Sequence, residues 1–356
     1  MRFRTLAQSV FSTSLLATSL VLGDQSGSGV KDTKMQTGYN SPCRISVDRP
    51  YDFFLSGSFI YWQPIQENMQ LGVVSKTSSQ DLVNGHEIDL DFDYKPGFKV
   101  GLGMNFSRDN WDTFIEYTWF RATEHVRKKL NPNNTQTTLL PAWQIPDFLN
   151  PKYSSGSEKW KLRMDLIDWD LAKSYKIGTK LCLRPFFGVR AALIDQKVKV
   201  DYVNVTSSAL LISPSTSIRQ SSDSWGVGPR AGLSSHWKFC KNFRLFSSGE
   251  VDILFTQYDL KSSQTGDPTV ANRYIVKKND ANYLRTHLEL NLGLGWGSYF
   301  ASDRYHVDLS AGYGFQVFFD QNMFRNTSNT DAVGKGTWPN GNLYIQGLTT
   351  SLRFDF

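Results

Sequence analysis

Residues 282–300, NYLRTHLELNLGLGWGSYF, carry a period of two through most of their length. Leu284, Leu288, Leu290, Leu292, Leu294 and Trp296 share one face, and Arg285, His287, Glu289, Asn291, Gly293 and Gly295 share the other. Only an extended strand sends successive side chains to opposite faces, so this segment is a β-strand with one apolar face. Residues 95–106 repeat the pattern: Phe98, Val100, Leu102, Met104 and Phe106 oppose Lys99, Gly101, Gly103 and Asn105. In the next segment Trp111, Ile115, Tyr117 and Trp119 oppose Asp112, Glu116 and Thr118. No apolar run of ~18 residues follows the first thirty, which excludes membrane-spanning helices. The chain must therefore bury its apolar strand faces against another sheet or against lipid.

Further alternating segments fill the chain at 53–62, 88–94, 160–171, 181–200, 223–237, 243–255, 304–319 and 343–356. The segment 160–171 slips phase at Leu166–Ile167, which reads as a β-bulge. Short connections near 107, 178, 238 and 301 alternate with polar stretches at 125–157, 201–222, 260–280 and 320–342. A meander with short turns in one compartment and long loops in the other does this, whereas a soluble sandwich has no reason to. The expected fold class is all-β, a transmembrane antiparallel β-barrel with short periplasmic turns and long extracellular loops. Both chain ends lie on the inner side, so the strand number is even. It is twelve if both halves of 63–95 span and ten if they fold into an outer loop; twelve is the reading taken.

Tryptophan placement agrees with lipid. Trp111, Trp237 and Trp296 fall at the turn ends of strands, and Trp160 and Trp225 at the loop ends, all assigned to the apolar face. Interfacial aromatic belts on a hydrocarbon layer have this form. The opposite face then lines the lumen. Its charge candidates are Lys99, Arg184, Arg190, Arg230, Glu250, Asp252, Arg285, Glu289 and Asp308. Inward glycines such as Gly101, Gly103, Gly232 and Gly293 leave room for a narrow pore, or admit tight packing of larger inward side chains.

The chain's 356 residues carry 39 Lys and Arg against 33 Asp and Glu. Residues 1–23 have the form of an export signal, with Arg2 and Arg4, an apolar run and the small Gly23. Removing them lowers the net charge of +6 by two, to +4, too weak and dispersed for nucleic-acid binding. Residues 24–50 read as a flexible periplasmic leader, and 51–356 as the barrel. Three cysteines, Cys43, Cys182 and Cys240, cannot close a disulfide framework among themselves, and all map to the periplasmic rim. His86, His125, His236, His287 and His306 are scattered, and no metal, nucleophile or phosphate-loop motif accompanies them. No catalytic residue, metal site or cofactor is expected.

The stretches FIYW ending at Trp62, PGFKVGLG with Gly97 and Phe98, DNWD at Trp111 and Asp112, RPFFGVRAA with Phe187, Gly188 and Arg190, and the terminal FDF share an order and spacing. In these the chain resembles the Legionella-type major outer membrane proteins, a pore-forming family also found in Chlamydia-related bacteria. The resemblance covers residues 53–356 and implies an exported Gram-negative outer-membrane β-barrel porin with no catalytic residues. It implies that Phe356 serves as the aromatic signal to the barrel assembly machinery. The low cysteine count departs from the cross-linked chlamydial proteins.

The leading expectation is a porin for passive diffusion of small hydrophilic solutes or ions. Its rivals are a closed barrel acting as adhesin or structural envelope protein through its outer loops, and a soluble secreted β protein. Expected partners are outer-membrane lipid and the assembly machinery. A homo-oligomer, and disulfide-linked envelope neighbours, are further expectations.

Overall fold

The computed structural model describes residues 45, 47, 52–76, 84–106, 110–131, 137–143, 153–203, 215–240, 242–265, 273–324 and 341–356. Residues 1–23, expected as an export signal, most of the expected leader and Cys43 lie outside these residues. In chain order the strands are β1 (Asp52–Gln66), β2 (Gln70–Lys76), β3 (Asn84–Asp89), β4 (Lys95–Asn105), β5 (Trp111–Lys129) and β6 (Thr137–Pro141). They continue as β7 (Ser155–Lys173), β8 (Tyr175–Ile177), β9 (Leu181–Val203), β10 (Ser215–Lys238) and β11 (Phe243–Thr265). The last three are β12 (Arg273–Phe300), β13 (Tyr305–Phe318) and β14 (Leu343–Asp355).

Ten of them close a barrel in the order β1-β4-β5-β7-β9-β10-β11-β12-β13-β14 and back to β1, every pair antiparallel. The last seam joins the two ends of the chain, where Phe53 and Phe356 exchange backbone hydrogen bonds of 3.1 and 2.8 Å. Closure leaves no open edge in hydrocarbon, where an unpaired backbone group costs several kcal/mol. The twelve-strand expectation is corrected to ten. Residues 70–76 and 84–89 do not span; they form β2 and β3 of a separate three-stranded sheet with β6. The short β8 continues β7 past Ser174 and pairs with the start of β9.

The strands are much longer than a bilayer requires. Crossing takes ~9–11 tilted residues, yet β9 has 23, β10 24, β11 23 and β12 28. Much of 201–222 and 260–280, expected as loop, is strand. The extra length projects beyond the lipid, and there the amphipathicity inverts. On β9 the outward Phe187, Val189 and Leu193 give way to outward Asp195, Lys197, Lys199 and Asp201. Over the same step the inward side chains change from Arg184 and Arg190 to Ala192, Ile194, Val198, Val200 and Tyr202.

This inversion explains the phase slip at Leu166–Ile167. Pairing of β7 with β5 and β9 runs through that point without a break, so the expected bulge is absent. Leu162, Met164 and Leu166 point inward above the lipid, while Trp169, half exposed, points outward within it. The hydrophobic face changed sides because the solvent on the outer face changed. In the barrel a register shift lies between Tyr258 and Leu260 on β11, and in the small sheet one lies between Gln70 and Gly72 on β2.

Leu290, Leu292, Leu294, Trp296 and Trp237 are exposed outward, and Trp225 is half-buried on the same face, its indole donating to Gln257 Oε1 at 2.8 Å. Trp225 and Trp237 mark the two rims on β10, ~30 Å apart in height at ~3.3 Å per residue and a tilt of ~40°. Trp160 is corrected: it is fully buried inside the barrel, donating to Gln196 Oε1 at 3.1 Å. Its level lies above the belt, where the inner face is the apolar one.

Candidate functional site: the barrel interior

The inner face of the lipid-level barrel carries the charge candidates, and strand register brings most of them to one layer. Arg190 on β9 stands opposite Asp168 on β7 and Gly228 on β10. Arg230 on β10 stands opposite Asp252 on β11. Glu250 and Asp252 on β11 stand opposite Glu289 and His287 on β12. Because alternate residues share a face, these registers aim all of them into the lumen at similar height.

Arg190 is 1% exposed and is the hub. Its guanidinium grips Asp168 bidentately, Nε to Oδ1 at 2.6 Å and Nη2 to Oδ2 at 2.8 Å. It also donates to Asp252 Oδ2 at 2.7 Å and Glu250 Oε1 at 2.8 Å. Arg230 pairs with Glu250 and reaches Asp168 at 3.2 Å and Asp170 at 3.3 Å. His287 Nδ1 lies 2.6 Å from Asp252 Oδ2, and its ring sits 4.1 Å from Phe318. Glu289 approaches Arg190 at 3.8 Å, and Lys99 pairs with Glu116 at 3.1 Å. The planar five-donor fork of arginine suits such shared carboxylates far better than lysine does.

Six of the nine sequence candidates therefore meet in this layer: Lys99, Arg190, Arg230, Glu250, Asp252 and Glu289. Arg184 lies nearer the turns, on Asp112, with Nε to Oδ2 at 3.0 Å. Asp308 is there too, held by Arg244 Nη2 at 2.6 Å. Arg285 lies on the outer side, stacked 4.7 Å from Tyr283 and 3.5 Å from Asp320. Asp168, Asp170, Glu116, His287, Asp112 and Arg244 complete the pairs and were missing from the candidates. Asp168 and Asp170 were legible once Ile167, Trp169 and Leu171 are placed outward, but the bulge reading hid that phase.

Above the ionic layer the lumen is apolar. Ile60, Trp62, Phe120, Met164, Leu166, Ile194, Leu254, Phe318 and Ile345 form one buried cluster that continues outward through Trp160, Leu162, Val198 and Tyr202. Leu71 and Leu139 of the small sheet belong to it, so that sheet packs on the barrel's apolar interior. Tyr202 ties the two together by donating to the Leu71 carbonyl at 2.5 Å. In this outer region the carboxyl of Glu158 is buried beside Trp143, and burial raises its pKa to about 8.

The space beside the inward glycines is occupied. A Cβ at Gly103 would lie 2.1 Å from the Phe54 ring, and one at Gly232 2.4 Å from the Phe186 ring. The missing side chains make space for aromatic rings, and Arg230 stacks on Phe186 at 5.3 Å. Below these rings a cavity of about 210 Å³ opens toward the turns, lined by Asp112, Arg184, His236, Arg244, His306, Asp308 and Arg353 among others.

Glu250, Asp252 and His287 place ligand atoms within 4.8 Å of one another, as a metal site would. The same carboxylates already receive the two guanidinium groups, so their charge is met by arginine. Near the turns, Cys182 is disulfide-bonded, which removes it from the thiols available to a neighbouring protein. Cys240 is free and exposed. Ile45 accepts from Asn105 at 3.4 Å and Val47 is buried, so these two leader residues are packed on the barrel.

Among solved structures the chain is similar to the outer membrane protease OmpT from Escherichia coli, at 9% identity and a TM-score of 0.42, covering 89% of this chain and 99% of that one. It is similar also to a major outer membrane protein from Thermus thermophilus, at 11% identity and a TM-score of 0.32, covering 86% and 99%. A FadL homologue from Pseudomonas aeruginosa follows at 10% identity and a TM-score of 0.28, covering 86% and 90%. No curated protein matches the chain. The family profile described as the Legionella pneumophila major outer membrane protein precursor matches residues 42–356, nearly the whole length. This ten-stranded barrel, apolar outside and ionic within at the level of the lipid, belongs to that family of outer membrane proteins.

Proposed function

We propose that the protein is a closed outer-membrane barrel, a structural and surface-presenting component of the envelope rather than an open diffusion pore. The observation that carries this reading is Arg190, buried at the centre of the lumen and bonded to carboxylates from β7 and β11. Moving a hydrated solute past it requires breaking several charge-assisted bonds at once, with an apolar layer beyond. A barrel of about eight strands is filled by its own side chains, and ten strands remain near that limit. The barrel's outer half then acts as a stiff stalk that carries the outer connections away from the membrane.

The same packing argues against an enzyme. His287 and Asp252 form a pair that resembles an acid–base couple, but both are buried between the apolar layer and the Arg230–Phe186 stack.

The test is single-channel recording in a planar bilayer with insertion confirmed by heat-modifiable migration of the recovered protein. Silence under insertion is the expected result. Reproducible ohmic steps from the wild-type chain overturn the closed reading and restore the porin expected from the glycine-rich inner face.

A further inference from the structure

Beyond the upper tryptophan rim, the outward face of β7, β9, β10, β11 and β12 carries charge in ordered rows. Register places Lys161, Lys197, Ser221, Lys261 and Lys277 side by side across the five strands. The next row outward is Lys159, Lys199, Arg219 and Ser263. Except for Lys277, these residues line a concave depression of about 650 Å³. Lys199 is paired with Asp201 at 2.6 Å. Lys159, Lys161, Lys197, Arg219, Lys261 and Lys277 make no ion pair within 4.0 Å among the described residues. Like charges on directly opposed strand positions destabilise a sheet, so this arrangement costs folding energy that a bound anion would offset.

The row beneath has the opposite sign. Asp195 stands opposite Arg163 and Asp223, and Asp223 stands opposite Asp259. These carboxylates lie between the apolar belt and the cations. They disfavour an anion held at the hydrocarbon edge and leave the cations to one that stands further out. On β10 the two cationic rows lie about 10–15 Å above the Trp225 rim at ~3.3 Å per residue and a tilt of ~40°, and across neighbouring strands that tilt shifts each row by about 3 Å per strand. A bilayer's polar layer is only about 5–8 Å thick on each side of its hydrocarbon. From β10 outward the rows stand above an ordinary phospholipid phosphate and suit phosphate carried on a bulky sugar headgroup.

We propose that this face is a docking site for a phosphorylated glycolipid of the outer leaflet, its acyl chains on the apolar belt and its sugar phosphates on Lys159, Lys161, Lys197, Lys199, Arg219 and Lys261. The site rests on the outer-membrane placement of the barrel but not on whether the lumen conducts. Continuity with the lipid-facing belt selects a lipid over a soluble anion, because a lipid reaches both surfaces at once.

The full chain, folded in a neutral detergent, is titrated by native mass spectrometry with four probes: a bis-phosphorylated acylated glucosamine disaccharide, its dephosphorylated counterpart, phosphatidylglycerol and inorganic phosphate. One variant carries Lys161→Gln, Lys197→Gln, Lys199→Gln and Lys261→Gln. The control carries Lys176→Gln, Lys180→Gln, Lys238→Gln and Arg304→Gln at the turn end, the same change in net charge. Heat-modifiable migration confirms that each is folded. The expected result is preference of wild type and control for the bis-phosphorylated glycolipid, and a loss of affinity in the patch variant of about 100-fold or more, since each cation near an anionic surface contributes about fivefold. Unchanged affinity in the patch variant, or an equal loss in the control, overturns the site. Equal binding of the dephosphorylated lipid or of phosphatidylglycerol overturns the headgroup assignment, and equal binding of inorganic phosphate overturns the lipid assignment.

Discussion

The two halves of the barrel are built from the same strands and are inside out relative to each other. At the lipid level Leu290, Leu292 and Trp237 face outward and Arg190, Asp168, Asp252 and His287 fill the interior. Above it Lys161, Lys197 and Arg219 face outward and Trp160, Leu162, Met164 and Val200 fill the interior. The backbone passes through the boundary unaltered, with continuous pairing on both sides of β7. The difference teaches that a barrel's core is chosen by its surroundings. In lipid, transferring apolar side chains inward gains nothing, so the outer face takes them and the interior holds polar groups that must pair among themselves. In water the hydrophobic effect drives them inward, as in any soluble fold.

Four substitutions break or sharpen this comparison. The largest effect is expected from Arg190→Met, which leaves Asp168, Glu250 and Asp252 with Arg230 as their one remaining arginine among the described residues. Losing one partner of a buried ionic network costs roughly 3–5 kcal/mol. Urea unfolding in detergent micelles measures it, and a loss under about 1 kcal/mol would show that the ionic layer does not hold the lipid half together.

Next is a charge on the lipid face. Leu290→Lys places an ammonium in the middle of the belt and costs roughly 2–4 kcal/mol in lipid vesicles. The same variant in a short-chain, poorly ordered micelle loses less, and equal losses in both media contradict the membrane position assigned to Leu290.

Glu158 tests the outer half through pH. Its folded pKa is raised to about 8 from 4.5, so the native state holds a proton that the unfolded chain releases. Stability linked to this group is therefore full below the unfolded value and falls as pH rises from 4.5 to about 8, levelling off beyond. Glu158→Gln removes that slope and gains roughly 1–3 kcal/mol at about pH 8.5, after discounting for relaxation around the site. Amide exchange in β7 and β9 as a function of pH reports it, and parallel slopes in variant and wild type count against the assignment.

The smallest change is expected from Lys161→Leu. Above the rim this side chain meets water rather than lipid, so stability shifts by only about 0.5 kcal/mol. A gain like that of an added lipid-facing leucine would move the membrane boundary outward past Lys161.

Much of the lipid half could be read from the chain. Strict alternation in 95–106 and 282–300 assigned Lys99, Arg285 and Glu289 inward and Leu290 outward, as found. The pattern failed at Trp160, Leu166 and the stretches 201–222 and 260–280, for one reason. Polarity was compared with a single outside medium, so outward lysines looked like loop and inward leucines looked lipid-facing. Strand number failed differently. Residues 70–76 and 84–89 alternate as well as some barrel strands do, and only partners distinguish a short sheet from a spanning hairpin.

The sequence alone determined the period-two strands, the alternation of short turns with outer connections, and the apolar belt, because these depend on local side-chain order and on lipid as solvent. Tertiary structure decided that the charged row pairs with itself across the barrel interior. Arg190 meets Asp168, Glu250 and Asp252 only through the registers of four neighbouring strands, and Phe54 and Phe186 fill the space over Gly103 and Gly232 because register sets them directly opposite on adjacent strands. Whether glycines and charges make a channel or a plug depends on distances across the barrel, and those are set by strand number and register rather than by any one strand.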